Sequence, residues 1–361
     1  MTRCPNGTIC FHRTRYPHRS QMFSQELNVF PGSGFVLNAL IESQSKDLKV
    51  VAGEASRNAE RERRSDFFNQ PCSTSSLLLD QNSTLPGWTF QGTVQYVTSL
   101  ELPDTGHAIQ LGEDGKINQT FIAKGDDLHY ILTFALIPGG KNCSASAGLI
   151  VSGPDSNAVF SYRHNYSQVP WQSYSHNLGS WGNGEPINLV LESQTIDSDT
   201  NSTCWPIVDT LLIKTVGVTL VQDSANGGFE SGPGFLPNST EGVLIDAVPS
   251  LIQSALRQWS ITGTVRYIDS EHFHVPEGIA AIEILADTSP SGIQTATRDT
   301  SKGSRYNLTF TLGDANDACR GYFVVGVQAG SAAQNFTLES NGLGRVRSLG
   351  WCLKQMKLQH R

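Results

Sequence analysis

Five aromatic residues, Tyr162, Tyr166, Trp171, Tyr174 and Trp181, share a short stretch with Arg163, His164 and Gln172. Such a mixture suits a ligand that is apolar on one face and hydroxylated around its edge. The C–H face of a pyranose stacks on a ring, while its hydroxyls reach amides, guanidinium groups and carboxylates. Alternate aromatics also fill the interior of a β-sandwich, and at Trp171 the two uses weigh equally. We take Tyr162, Arg163, Tyr166, Trp171, Tyr174 and Trp181 as candidate carbohydrate contacts.

Other chemistry finds less in the residue pattern. The pairs Asp197/Asp199 and Glu271/Glu277 could serve as acid and base toward a glycoside only if about 5–9.5 Å apart across a sugar ring. Nearness in sequence does not supply that geometry, and solvated loop acids are the simpler reading. Asp314, Asn316 and Asp317 offer oxygen ligands, but calcium takes about six to eight, and Asp and Asn favour turns for their own backbone bonds. A structural calcium would need further ligands that the sequence does not identify. His272 and His274 would share one side of a strand, as a metal pair or as packing positions beside Phe273. There is no G-x-S-x-G, phosphate-cradling loop or thiol-enzyme signature, so no catalytic residue, metal site or cofactor is expected.

These residues hang on a duplicated framework. Tyr130–Cys143, YILTFALIPGGKNC, is echoed by Tyr306–Cys319, YNLTFTLGDANDAC. Upstream, LPGWTFQGTVQYVTS (Leu85–Ser99) is matched by LRQWSITGTVRYIDS (Leu256–Ser270), which shares Trp88/Trp259, Gly92/Gly263, Thr93/Thr264, Val94/Val265 and Tyr96/Tyr267. The offset drifts from 171 at the Trp pair to 176 at Cys143/Cys319, as when insertions fall in loops. A period this long means two copies of one domain. Apolar alternation predicts strands at GTVQYV, HAIQL, YILTFAL, AGLIVS, NAVFSY, INLVLES and VDTLLIK, an all-β pattern.

Length and charge agree with that reading. A chain of 361 residues allows about two domains. The balance of 26 Lys+Arg against 33 Asp+Glu, a formal net charge of -7, gives no electrostatic case for nucleic acid as a partner. No apolar run approaches the roughly 18 residues of a membrane helix, so no membrane partner is expected. Sequons at Asn6, Asn82, Asn118, Asn142, Asn165, Asn201, Asn238, Asn307 and Asn335 point to secretion, although Asn307 lies inside the repeated strand. The basic N-terminus carries no apolar core of a signal peptide. Residues 1–80 fall outside the repeat, contain the charge-dense Arg57–Arg64, and are expected to be disordered, with at most a short helix, or to be a misannotated segment. Cys143 and Cys204 would tie the strand after the repeated motif to the last strand of the first domain, contributing about 4 kcal/mol on a chain-entropy estimate; two buried thiols are the alternative. A second copy as long as the first would run past Arg361, which predicts a second domain without its last strand and leaves Cys319 without an obvious partner.

The blocks NGGFESGP (Asn226–Pro233), WSITGTVRYIDSEHFHVPEGIAAIEI, YNLTFTLGDANDACRG, LPGWTFQGTVQYV and CWPIVDTLLIK resemble the signature segments of a plant cell-wall family, that of the domain of unknown function 642. The resemblance implies two tandem jelly-roll, galactose-binding-like β-sandwiches, at residues 81–216 and 217–361. It also implies a secreted, apoplastic, non-catalytic protein that binds wall polysaccharide, pectin or cellulose, and in some members partners pectin methylesterase. A carbohydrate-active enzyme, or a truncated gene product without function, is the alternative. The chain departs from the family pattern at DQNST, where an NGNFE-like strand is usual, at Trp205 after Cys204, and in lacking a closing Cys-Gly-Pro strand.

Overall fold

The computed structural model describes residues 35–40, 48–52, 75–79, 85–98, 106–126, 128–139, 147–162, 171–194, 204–217, 226–237, 239–285, 291–295, 305–314, 320–329, 332–341, 343 and 345–354. The described residues contain strands and turns and no helix. In chain order the strands are β1 (Phe35–Leu40), β2 (Leu48–Ala52), β3 (Ser75–Leu79), β4 (Thr89–Gln91), β5 (Val94–Thr98), β6 (His107–Leu111), β7 (Lys116–Ile122), β8 (Leu128–Gly139), β9 (Gly148–Ser152), β10 (Asn157–Ser161) and β11 (Gln172–Trp181). They continue with β12 (Pro186–Gln194), β13 (Trp205–Gly217), β14 (Val243–Ile245), β15 (Ser260–Thr262), β16 (Val265–Asp269), β17 (Ala280–Ile284), β18 (Gly292–Thr295), β19 (Arg305–Gly313), β20 (Arg320–Ala329), β21 (Ala332–Asn341) and β22 (Val346–Lys354).

The chain divides into two compact units. One comprises residues 57–219 and 232–245. Its layers run β3-β5-β6-β13-β8-β11-β14 and β10-β9-β12-β7-β4. Among the described strands of this unit only the β11/β14 pair is parallel. The layers meet through apolar side chains of one pleat: Phe134 of β8 meets Phe160 of β10 edge-on at 5.1 Å, and His176 of β11 lies 5.9 Å from the same ring. The other unit comprises residues 1–56, 220–231 and 246–361, with layers β16-β17-β1-β19-β22 and β15-β18-β2-β20-β21. It repeats the packing: Phe310 meets Phe336 edge-on at 5.1 Å, and Trp351 stands 6.4 Å from Phe336. The protein is therefore all-β, built as two sandwiches.

The repeated glycines mark the step from one layer to the other. Between β4 and β5, Gly92 has φ +65°, and a Cβ there would lie 2.0 Å from the Asp114 carbonyl oxygen. Gly263, between β15 and β16, has φ +66°. A left-handed residue in such close quarters selects glycine.

NGGFESGP acts as a clasp. Asn226 accepts a bond from Ser231 N and donates to the carbonyls of Ser231 and Arg257, while its own carbonyl accepts from Trp259 Nε1 at 3.1 Å. The Phe229 ring packs on fully buried Trp259, and the Phe229 carbonyl accepts from Tyr267 Oη at 2.8 Å. Burial, then the Glu230 carboxylate, pushes the Tyr267 pKa above its ordinary value, which keeps that donor protonated.

Two expectations change. Within residues 1–80, where disorder or a short helix is predicted, β1, β2 and β3 form; apolar pentamers such as FVLNA and SSLLL are long enough to pair once a sheet offers an edge. The charge-dense Arg57–Arg64 lies outside the described residues. In the second unit, expected to lack its last strand, β1 lies between β17 and β19.

Candidate functional site

Among the aromatic candidates, Tyr162 and Tyr174 are buried to 1% exposure, Trp171 to 6% and Trp181 to 9%. Tyr174 stacks on Phe134 and its hydroxyl lies 2.7 Å from both the Ser161 carbonyl and Gln172 Oε1. Trp181 packs on Tyr130 with centroids 5.7 Å apart. Trp171 joins Ala135, Ile137, Ile207 and Leu236 in an apolar cluster. A ring that stacks on a sugar needs an open face, and these four spend theirs on neighbours, so the structure places them in packing roles. Arg163, His164 and Tyr166 lie outside the described residues.

The other polar candidates are also accounted for locally. β16 ends at Asp269, and the segment after it is a turn: Asp269 Oδ1 accepts from the backbone N–H groups of Glu271 and His272, each at 2.8 Å, and meets His272 Nδ1 at 3.0 Å. His272 and His274 therefore do not share a strand face. Glu271 and Glu277 are exposed. Asp314 is wholly buried and accepts from Ser340 Oγ and Arg345 N, which fits a structural turn. Asn316, Asp317, Asp197 and Asp199 lie outside the described residues. Among the described residues no group of three or more acidic, His or Cys side chains is placed to hold a metal. Cys204 is disulfide-bonded; Cys143, its expected partner, lies outside the described residues, as does Cys319, while Cys352 is free and exposed. Asn118 is half-buried on β7, Asn335 is exposed on β21, and Asn82, Asn142, Asn165, Asn201 and Asn238 lie outside the described residues.

A different set of side chains converges. Strand register places Ser173 opposite Ala135 and Ser175 opposite Thr133, on the pleat that points away from the Phe134–Phe160 interior. The neighbouring β13 adds Asp209 opposite Ala135 and Leu212 opposite Thr133, across a bulge. Inside that bulge Thr210 has φ +48°, rare for a β-branched residue. The face is roofed: a Cβ on Gly234 would lie 2.7 Å from Leu212 Cδ2, and Lys214 Nζ donates to the Pro233 carbonyl at 3.3 Å. Thr133, Ser173 and Ser175 are almost fully buried, and their hydroxyls have no hydrogen-bond partner among the described residues. Each such group costs about 1–3 kcal/mol in desolvation.

The second unit carries the same face in open form. Thr309 corresponds to Thr133 in the repeat, Thr311 to Ala135, and by register Ser348 to Ser173. Asn307, Thr309 and Thr311 are half-buried and Ser348 is exposed, with Thr311 Oγ1 3.4 Å from Ser348 Oγ. β22 is the terminal strand on this side of the unit, and at its start Arg345 and Arg347 are exposed, with no ion pair among the described residues. The result is a row of neutral hydroxyl and amide groups; Arg347, opposite Leu312, belongs by register to the other pleat.

Residues 62–214 and 223–360 match the family described as "Protein of unknown function (DUF642)". The chain belongs to the DUF642 family. Relatives in Arabidopsis thaliana include the protein DUF642 L-galactono-1,4-lactone-responsive gene 2, 32% identical over 274 residues that cover 72% of this chain and 71% of that one. Protein TEEBE is 29% identical over 279 residues, 74% and 73% of the two chains. Among solved structures, the CBM22-1 xylan-binding domain from Paenibacillus barcinonensis Xyn10C aligns at TM-score 0.25 and 17% identity, over 41% of this chain and 99% of that one. The CBM22-1-CBM22-2 tandem domain of the same enzyme aligns at TM-score 0.27 and 12% identity, over 79% and 86%.

Sequence reasoning about this DUF642 protein missed the hydroxyl face. Thr133 and Thr309 were visible inside the repeated motif, and they are the one signal that could have led to it. Their partners Ser173, Ser175 and Ser348 sit on strands whose sequences do not resemble each other.

Proposed function

We propose that this DUF642 protein is a secreted, non-catalytic cell-wall protein that binds wall polysaccharide, pectin or cellulose, through the open polar face of its second unit. The carrying observation is the recurrence of outward hydroxyls on both copies of the repeated strand, half-exposed in the second unit beside exposed Ser348. Hydroxyl and amide groups match the hydroxylated edge of a sugar chain. On pectin the protein would work beside pectin methylesterase, which is the partner we favour.

Retention of the full chain on polygalacturonate, fully methyl-esterified pectin and cellulose tests the reading. Retention on at least one of the three, weakened about tenfold by T311V/S348A, is expected from the loss of one to two kcal/mol of hydrogen bonding. Equal retention of wild type and variant, or retention on none, overturns it. Asn307 supplies an independent check, because a glycan at that sequon would cover the face: peptide mapping of the secreted protein should find Asn307 unmodified.

A further inference from the structure

We propose that β1 and β2 are a strand pair donated to the second unit, held there by strand pairing rather than by chain continuity. Laid position against position, the larger layers read β5-β6-β13-β8-β11 in the first unit and β16-β17-β1-β19-β22 in the second. The smaller ones read β4-β7-β12-β9-β10 and β15-β18-β2-β20-β21. β1 thus stands where β13 stands, and β2 where β12 stands. Direction agrees as well: β13 runs antiparallel to β6 and β8, as β1 does to β17 and β19, and β12 runs antiparallel to β7 and β9, as β2 does to β18 and β20.

Chain order does not agree. In the first unit β12 precedes β13, whereas in the second the strand in the β13 place precedes the one in the β12 place. β1 and β2 are also separated from β15 by the whole first unit. Each occupies the middle of its layer and is paired on both edges: β1 joins Phe35–Leu37 to β17 and Val36–Leu40 to β19, and β2 joins Leu48–Thr295 through Val51–Gly292 on one side and Leu48–Ala52 to β20 on the other. Without them β17, β18, β19 and β20 would each present an unpaired edge in the interior of a layer, a template that recruits any available strand. This is strand donation of the kind in which an extended segment completes a sheet, here from the same chain. Because the donors are joined to the body only through residues 53–74, cutting that connection should leave them bound.

Two experiments on the full chain test this. In the first, Asn38→Cys with Thr311→Cys, which stand opposite each other, is treated with a short thiol crosslinker and mapped by peptide mass; Asn38→Cys with Leu312→Cys is the register-shifted control. A 38–311 crosslink within one chain, and its loss in the control, is expected. No 38–311 crosslink, or one found only between two chains, overturns intramolecular donation. In the second, a specific protease site is inserted after Ser56 and cut in the folded protein. Co-elution of the N-terminal fragment with the body in native size exclusion, and its release in urea together with loss of the second unit's thermal transition, is expected. A fragment that separates without denaturant, leaving that transition unchanged, overturns the proposal.

Discussion

Thr133→Val should stabilise the protein. Thr133 is wholly buried, and its hydroxyl has no partner among the described residues. Replacing it with an isosteric methyl removes a desolvation penalty of about 1–3 kcal/mol and leaves volume nearly unchanged. At roughly 2–4 °C per kcal/mol for a unit of this size, the first unit's transition should rise by about 2–12 °C in scanning calorimetry. Ser193→Ala serves as a control of opposite sign, because Ser193 is buried yet donates to the Gly112 carbonyl at 2.6 Å; its removal should cost about 1 kcal/mol. A Thr133→Val protein destabilised by 1 kcal/mol or more would mean that the hydroxyl is satisfied in solution. The repeated threonine would then be a structural hydrogen-bonding position, and its recurrence would no longer support a binding face.

Gly92→Ala should cost more than about 2 kcal/mol in urea denaturation, since it forces a left-handed alanine against the Asp114 carbonyl; a neutral result would show that the turn relaxes freely. Phe336→Ala should cost about 3–5 kcal/mol and lower only the second unit's transition, because that ring meets Phe310 and Trp351 of its own unit. Burial lowers the His176 pKa from 6.5 to about 4. The folded state therefore holds the ring neutral, and the unfolded state binds the proton first on acidification. Stability from this group is full above pH 6.5 and is lost as pH falls toward 4, by up to about 3 kcal/mol. His176→Gln should flatten stability over that window, and an unchanged pH slope would refute the assignment.

Much of the framework was legible because it rests on local pattern. HAIQL is β6 residue for residue, and the alternation of Tyr130, Leu132, Phe134 and Leu136 put the interior pleat of β8 in view. Gly92 and Gly263 were visible as a repeated pair, and their shared φ explains the repetition. β7 and β11 were not legible. In KINQTFI only Ile117 is buried, so alternation is faint, while QSYSHNLGSW is covered on both pleats and spells no alternation at all. The aromatics around β11 were conspicuous in the sequence for a reason that proved to be packing: Tyr174 and Trp181 complete the interior against Phe134 and Tyr130.

The hydroxyl face stayed hidden for a different reason. Thr133 and Ser175 are separated by some forty residues and meet only through register, which the residue pattern of β11 does not specify. Internal duplication nevertheless offers an argument that a single copy could not. Leu132, Phe134, Leu308 and Phe310 recur because the interior needs them, but Thr133 and Thr309 point the other way, to a pleat that is roofed in the first unit and half-exposed in the second. Burial cannot explain the recurrence either, since Thr133 is sealed and Thr309 is half-exposed. In the sealed copy the hydroxyl is a cost without a partner, which a valine would avoid. A residue kept in two such unlike settings is most simply explained by an ancestral sandwich that used this face to hold a polar ligand. On that account the second unit, whose copy remains open at Thr309, Thr311 and Ser348, is where the proposed binding is to be sought.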